Sequence, residues 1–416
     1  MPTNRPLRIC VDARIPDGPY DGIGAVVRGL ASALCELDDD TEEYAFLVYG
    51  DSHCWMLPYQ KGPCKILTGP NVPIAGRLRV LARRVPGVRR AWNLIGAPRR
   101  IETSDGTVEN AGFDVIHFTT QSAFLTAVPS IYQPHDLQHL HLPQYFSRRV
   151  RLRREVEYRT YCEQAALVVA MSSWGREDLI RRYKLQPERV AVVPWAAGGN
   201  SEVAPGSERI AQVRQRYKLP DAFAFFPSRT WPHKNHLGLI QAIALLRRKF
   251  GVRVYVICSG HRDDFFNKIE GQVQKSQLND QVRFVGFVPE DDLQCLYHAS
   301  RCVVFPTKFE GWGLPLLEAF RAGTPVACSR INPLCEQAAD AALLFNPDNQ
   351  EEMAATILRL WTDGALRDRL AAAGRERAAL FSWRQTARLF RAHYRKLGKR
   401  TLAPEDRALL SSSPIV

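Results

Sequence analysis

Residues 302–322 read CVVFPTKFEGWGLPLLEAFRA: a short apolar run closed by proline, a glycine-rich loop, then a leucine-rich stretch. Cys302 to Pro306 has the length and β-branched content of a buried strand, and Leu316 to Ala322 reads as a helix. Gly311 and Gly313 between them permit backbone angles closed to other residues and let a ligand approach the main chain. Pro315 suits a first helical position, where its missing N–H costs nothing. A helix starting near Leu314 turns free N–H groups and the positive end of its dipole back across the loop, a site suited to phosphate. Glu310 then falls in the loop beside the anion, and Glu318 in the first helical turn, within reach of a hydroxyl-bearing group such as a ribose. A plain strand-loop-helix turn, with two glutamates favouring a helix N-terminus, fits this segment alone equally well.

Outward from this stretch the chain alternates short apolar runs with helical periods. Leu7 to Val11, Ala45 to Tyr49, Val115 to Phe118, Ile131 to Pro134, Leu167 to Met171 and Val190 to Pro194 read as buried strands, with helices such as Ile23 to Leu37 and Arg148 to Glu163 between them. The pattern restarts with strands at Ala222 to Pro227, Val252 to Ser259, Val282 to Phe287, Cys302 to Pro306, Pro325 to Ser329 and Ala342 to Phe345. Helices at Leu237 to Lys249, Asp264 to Gln277, Leu316 to Ala322 and Glu351 to Thr362 fill this second set. Such alternation predicts parallel sheets, hence an α/β chain of two Rossmann-like, doubly wound domains. The expected divisions are 1–200 and 207–383, joined by the Gly-, Ala- and Pro-rich Ala196 to Gly206, with a final helix near 384–401 and a flexible tail over 402–416. Ligands of such sheets bind outside the carboxyl ends of the strands, so the expected site is a cleft between facing domains.

A chain of 416 residues with 45% hydrophobic content is long enough for two cores. It holds no uncharged apolar run of spanning length, and its polar start lacks a signal-peptide pattern, so a cytoplasmic location is expected. The ten cysteines are scattered without a Cys-x-x-Cys pair, which predicts buried thiols rather than a zinc or redox site. The net charge of +13 is uneven: Ser52 to Ile101 has ten basic residues and no acid. Within that block Leu78, Leu81, Val85 and Val88 share one helical face and Arg79, Arg83 and Arg90 the other. The Arg77–Arg90 segment therefore reads either as a solvated helix or as contact with an anionic membrane or acceptor surface. Aromatic residues are too sparse there for a nucleic-acid stacking platform.

Three more clusters fall at predicted strand ends. Asp21-Gly22-Ile23-Gly24 follows the first strand and opens a helix, so Gly22 and Gly24 suit phosphate or close substrate approach. Pro227 to His236 offers Arg229 as a bidentate phosphate clamp and Lys234 as a mobile point charge. In Gln133 to His141, His135 closes an apolar strand where its ring can bond a substrate hydroxyl, with Asp136 beside it. The spacing of His135, His139 and His141 lacks the further ligand that a zinc site needs. The acid pairs Asp263-Asp264 and Asp291-Asp292 stand where helices start and read as N-terminal caps.

Joined together, the Glu310–Glu318 pair in its Gly-Trp-Gly-Leu-Pro setting, Arg229 with Lys234-Asn235, the Gly22-Ile23-Gly24 loop and His135-Asp136 resemble the retaining nucleotide-sugar glycosyltransferases of family 4, of the bacterial surface-polysaccharide type and GT-B fold. The resemblance extends over nearly the whole chain. Ala25 stands where the family often has Arg, Ser228 where it often has Gly, and Gln144 where an acid is common. The resemblance implies a hexose, with mannose favoured, moved from a nucleoside diphosphate sugar to a hydroxyl of a glycan or lipid-linked acceptor. It implies that Arg229, Lys234 and the N–H groups near Gly313 and Leu314 hold the diphosphate. Glu310 and Asp136 would then bind the donor sugar, Glu318 the ribose, and His135 a hydroxyl near the reacting carbon. Retention follows from same-face attack with the leaving phosphate as base, and no metal or other cofactor is implied. Other sugar-nucleotide chemistry on the same fold, such as epimerisation, and a non-catalytic basic surface-binding protein are the alternatives.

Overall fold

The structure is a computed structural model, described here over residues 5–15, 22–37, 41–69, 101–198 and 204–412. The Arg77–Arg90 segment and Asp21 lie outside the described residues. The chain divides into two units, one running to Trp195 and resuming at Trp383, the other from Ala196 to Ser382.

The first unit is built on seven parallel strands: β1 (Leu7–Asp12), β2 (Glu42–Tyr49), β3 (Cys64–Gly69), β4 (Val115–Phe118), β5 (Ser130–Tyr132), β6 (Leu167–Ala170) and β7 (Val190–Val192). Their order is β3-β2-β1-β4-β5-β6-β7, so the winding reverses between β1 and β4. Both sheet faces are covered, which is why the strands read as continuous apolar runs rather than alternating ones. Leu7, Ile9 and Val11 face the helices Gly22–Cys35 and Trp383–Leu397, while Cys10, Ala45 and Ile116 face the other side with Tyr158, Tyr161 and Leu179. Strand β3 carries Lys65 and Thr68 and is only partly buried, so its pattern was too weak to predict from sequence.

The helix Trp383–Leu397 belongs to this first unit. It seats its first ring on Gly29, where a Cβ would lie 2.2 Å from the Trp383 indole. Three turns later Tyr394 donates its hydroxyl proton to His117 Nδ1 (2.6 Å), while His117 Nε2 donates to Gln133 Oε1 (3.0 Å). Burial drives the His117 pKa down to about 3, so this ring is neutral and can accept on one nitrogen while donating from the other. The flexible tail expected from 402 onward is corrected over much of its length, because Pro404–Ser411 is a helix. Its buried Asp406 accepts from Arg395 Nη1 (3.0 Å) and from the Ala403 amide (3.0 Å), and Arg395 also grips Glu42 on β2 (2.6 and 3.0 Å). Polar residues that read as solvated tail are the anchor.

The second unit has six parallel strands: β8 (Ala224–Pro227), β9 (Val256–Ser259), β10 (Val282–Gly286), β11 (Cys302–Phe305), β12 (Val326–Ser329) and β13 (Ala342–Phe345). The order β10-β9-β8-β11-β12-β13 reverses between β8 and β11. Asp291-Asp292 does not cap a helix. Pro289 precedes the helix Glu290–Ala299, and the buried Asp292 carboxylate accepts from Arg209 (2.6 Å), Arg216 (2.6 Å) and Tyr217 (3.0 Å), fixing that helix to Ser207–Arg216. Among the described residues, no helix is long and apolar enough to cross a membrane. None of the ten cysteines is in a disulfide, and eight are buried.

Candidate active site

In a doubly wound sheet the loops on either side of the reversal splay apart and leave a crevice at the carboxyl edge. In the second unit these are the loops after β8 and β11, with the loop after β9 alongside. The β8 loop turns at Asn235, whose φ of 63° is left-handed, a conformation asparagine tolerates better than most residues. From there its buried amide donates to the carbonyls of Pro306 (3.0 Å) and Pro347 (2.8 Å). The Lys308 amide returns a bond to the His233 carbonyl (2.7 Å), so the two loops form one laced surface. Sequence reading had given Asn235 no role.

This lacing sets Lys234 against Glu310. Lys234 Nζ donates to Glu310 Oε1 at 2.6 Å, with both side chains largely shielded from solvent. Arg229 is not a free clamp. Its Nη2 and Nε donate to the Asp263 carboxylate (3.0 and 3.3 Å), and its guanidinium lies 4.8 Å from the Trp231 ring centre. Asp263 is thus not the helix cap expected of it. The following helix starts only at Phe266, and the Asp263 amide instead donates to Thr230 Oγ1 (2.6 Å).

The helix Leu314–Ala322 begins as predicted beside the glycine loop, with Gly313 at its N-cap. Gly313 has φ 113°, and a Cβ there would meet Leu334 at 2.5 Å, so only glycine fits. The buried Gln337 amide, oriented so that both its ends are satisfied, donates to the Gly313 carbonyl (3.0 Å) and accepts from Trp312 Nε1 (3.2 Å). Glu318 lies in the second turn of this helix, not the first, because helical geometry already starts at Leu314. Its carboxylate accepts from Tyr297 Oη at 2.6 Å. Enclosure of that carboxyl raises its pKa above the ordinary carboxylate range, and the bond from Tyr297 and the nearby Arg321 only partly offset this.

The remaining predicted residues lie in the first unit. His135, three residues past β5, holds a left-handed φ of 66° that a histidine side chain makes unfavourable. Its Nε2–H donates to the Thr119 carbonyl beyond β4 (2.9 Å), and its ring meets Trp195 edge-on. Asp136 is engaged locally, accepting from the Gln138 amide (2.9 Å). His139 and His141 turn to Glu155 (3.4 Å) and Asp178 (2.6 Å), so the three histidines diverge to separate partners. Gly22 and Gly24 are helical residues in the first turn after β1 rather than a loop. Nearby, the buried Asp12 holds Arg14 through two bonds of 2.8 Å, a pair on the β1 edge that sequence reading had missed.

Chemically, the second unit offers two cations and a helix N-terminus on loops around one reversal point, each cation oriented by a carboxylate. That arrangement suits a polyanionic group with hydroxyl-bearing substituents.

Comparison with known proteins gives two family matches: "Glycosyltransferase Family 4" over residues 20–196 and "Glycosyl transferases group 1" over residues 209–377. The O-antigen chain mannosyltransferase B of Escherichia coli is 30% identical over 311 residues, spanning 74% of this chain and 80% of that protein. The serotype-specific mannosyltransferase WbdA of E. coli is 31% identical over 230 residues, 55% of this chain but only 28% of WbdA. Among solved structures, Anabaena HepE in complex with UDP and glucose superposes with a TM-score of 0.67 over 93% of this chain and 99% of its own, at 20% identity.

Proposed function

The chain belongs to glycosyltransferase family 4, and on that footing we propose that it is a retaining enzyme moving mannose from a nucleoside diphosphate sugar to a hydroxyl of a glycan or lipid-linked acceptor in surface-polysaccharide assembly. The single observation that carries the site assignment is the Lys234–Glu310 contact of 2.6 Å at the sheet reversal, beside a helix that begins in a glycine loop. The names of the two E. coli relatives support mannose as the sugar and O-antigen-type glycans as the product class.

Breaking a sugar–phosphate bond builds negative charge on the departing diphosphate and positive charge on the anomeric carbon. In this reading Lys234, Arg229 and the amides after Gly313 meet the first charge. Glu310 exchanges its contact with Lys234 for the donor sugar's hydroxyls as the diphosphate takes the ammonium. Glu318 accepts from the ribose. His135 bonds a sugar hydroxyl near the reacting carbon, Asp136 fixes the turn that carries it, and Gly22 and Gly24 open a helix on the acceptor-side unit. The leaving phosphate takes the acceptor's proton on the face it vacates, which retains configuration, and the cationic side chains do the work a metal could do. A lipid-linked acceptor would place the protein on the cytoplasmic side of an anionic membrane, where the arginines between Arg77 and Arg90 contribute attraction.

The test is to incubate the purified protein with GDP-mannose and other nucleotide sugars, with and without a mannan oligosaccharide. Acceptor-dependent release of GDP, with an axial anomeric linkage in the product, is expected. Nucleotide release that ignores the acceptor, or an inverted linkage, would refute the proposal.

A further inference from the structure

The helix Arg148–Gln164 has an outer ridge that neither the core nor the proposed site uses. Ser147 caps its start, its hydroxyl accepting from the Val150 amide. From Pro143 to Arg154 the chain has five arginines (Arg148, Arg149, Arg151, Arg153 and Arg154) and no acid. At helical spacing Arg148, Leu152 and Val156 fall in one row, with Arg149 on one flank and the paired Glu155 and Arg159 on the other, and Arg151, one turn before Glu155, is also exposed. The opposite side carries Tyr158, Tyr161 and Cys162 into the core. Leu152 is 65% exposed and Val156 46%, and Tyr145, in the turn ahead of the helix, is 37% exposed. Arg153 faces Glu157 and Arg159 faces Glu155 one turn along, whereas among the described residues no acidic side chain pairs with Arg148 or Arg151.

We propose that this ridge is a docking surface for an anionic lipid bilayer. Folding gains nothing from leaving two aliphatic side chains and a tyrosine in water among arginines. At a bilayer interface the aliphatics enter the acyl boundary while guanidinium groups stay with lipid phosphates. The row from Arg148 to Val156 spans about 12 Å, enough for several headgroups. A nucleic acid would call for exposed aromatic faces in place of Leu152 and Val156. The inference rests on a membrane-side role for the protein and not on its donor chemistry, so vesicle binding and sugar transfer can fail separately.

Co-sedimentation of the full chain with vesicles tests it. Wild-type protein should bind mixed phosphatidylglycerol–phosphatidylcholine vesicles and release from phosphatidylcholine alone. Combined replacement of Arg148, Arg149 and Arg151 by Ala should weaken anionic-vesicle binding about 100-fold, at the usual gain per basic residue near a charged leaflet. Leu152→Ser with Val156→Ser should weaken it by at least tenfold at unchanged charge. Both variants should keep wild-type thermal unfolding and wild-type transfer to a water-soluble acceptor. Unchanged binding by the triple-arginine variant would overturn the proposal. So would equal binding to uncharged vesicles, or indifference to the Leu152 and Val156 changes, which would mark a general polyanion surface instead.

Discussion

Lys234 and Glu310 stand 76 residues apart in sequence and 2.6 Å apart in space, joined across the reversal point of the second sheet. An ion pair this shielded holds each partner in place before any substrate arrives, which is the form that preorganisation takes in an electrostatic site. We expect Lys234→Ala and Glu310→Ala each to lower sugar transfer by about two orders of magnitude or more, the usual scale for removing one such contact. Glu310→Gln, which keeps shape and loses charge, should also fall far below wild type. Turnover near wild type by either alanine variant, with thermal unfolding unchanged, would remove these residues from the site.

Asp263 orients Arg229 from one side while Trp231 lies along the guanidinium. A single anchor removed from a bidentate clamp leaves the cation present but no longer aimed. Asp263→Asn should therefore raise the donor KM about tenfold, with a smaller change in kcat, while Arg229→Ala both raises KM and lowers kcat strongly. Steady-state kinetics at varied donor concentration separates the two. Identical profiles for Asp263→Asn and wild type would make the pair merely structural.

Apart from β3, the strands of both sheets were legible because burial on both faces turns each into an unbroken apolar run, as in Cys302 to Phe305 and Leu167 to Ala170. The glycine loop and helix start were legible because Gly313 and Pro315 are answers to local backbone demands that few other residues meet. Pairings were not. Asp263 and Asp292 both precede or open helices, and a local rule assigns such acids to capping; their true partners, Arg229 and the Arg209–Arg216 pair, come from distant elements that only the folded chain brings near. The helix Pro404–Ser411 was lost for the same reason, since its anchor is Arg395. His135 gave no sign of its left-handed backbone, which is set by the turn between β5 and the next helix rather than by its own preference.

The Tyr297–Glu318 bond of 2.6 Å predicts a pH signature. Burial raises the Glu318 pKa, and the tyrosine hydroxyl counters this by stabilising the charged form. If Glu318 accepts from the donor's ribose as a carboxylate, the donor KM should rise as pH falls through its raised pKa. Tyr297→Phe removes a bond that favours ionisation, so that rise should begin at a higher pH while kcat stays close to wild type. The linkage to stability has the opposite sense. An acid whose folded pKa is raised contributes most below its unfolded pKa and loses that contribution as pH rises through the folded one. Glu318→Gln should thus unfold at a higher temperature than wild type at neutral pH, yet bind donor less well. A donor KM that is flat with pH in both wild type and Tyr297→Phe would rule out the ribose role.

His236 predicts how the fold responds to acid. The ring is buried between Phe226 and Phe284, and among the described residues neither of its nitrogens has a hydrogen-bond partner. Desolvation, with Lys234 adding repulsion, drives its pKa down to about 3. An unfolded histidine takes its proton near pH 6.5, so below that pH the unfolded chain gains a proton that the folded ring refuses. The resulting loss is about 1.4 kcal/mol for each pH unit, continuing until pH approaches the folded pKa. His236→Phe keeps an aromatic ring against Phe226 and abolishes the term. Relative to wild type, the variant should therefore gain roughly 2 kcal/mol in urea unfolding on going from pH 7 to pH 5. His117 and His393 are buried with the same sign of shift but remain in both proteins, so they cancel in the comparison. Equal losses for wild type and variant between those two pH values would show that His236 is charged in the folded protein and that its surroundings are less dry than the packing of Phe226 and Phe284 indicates.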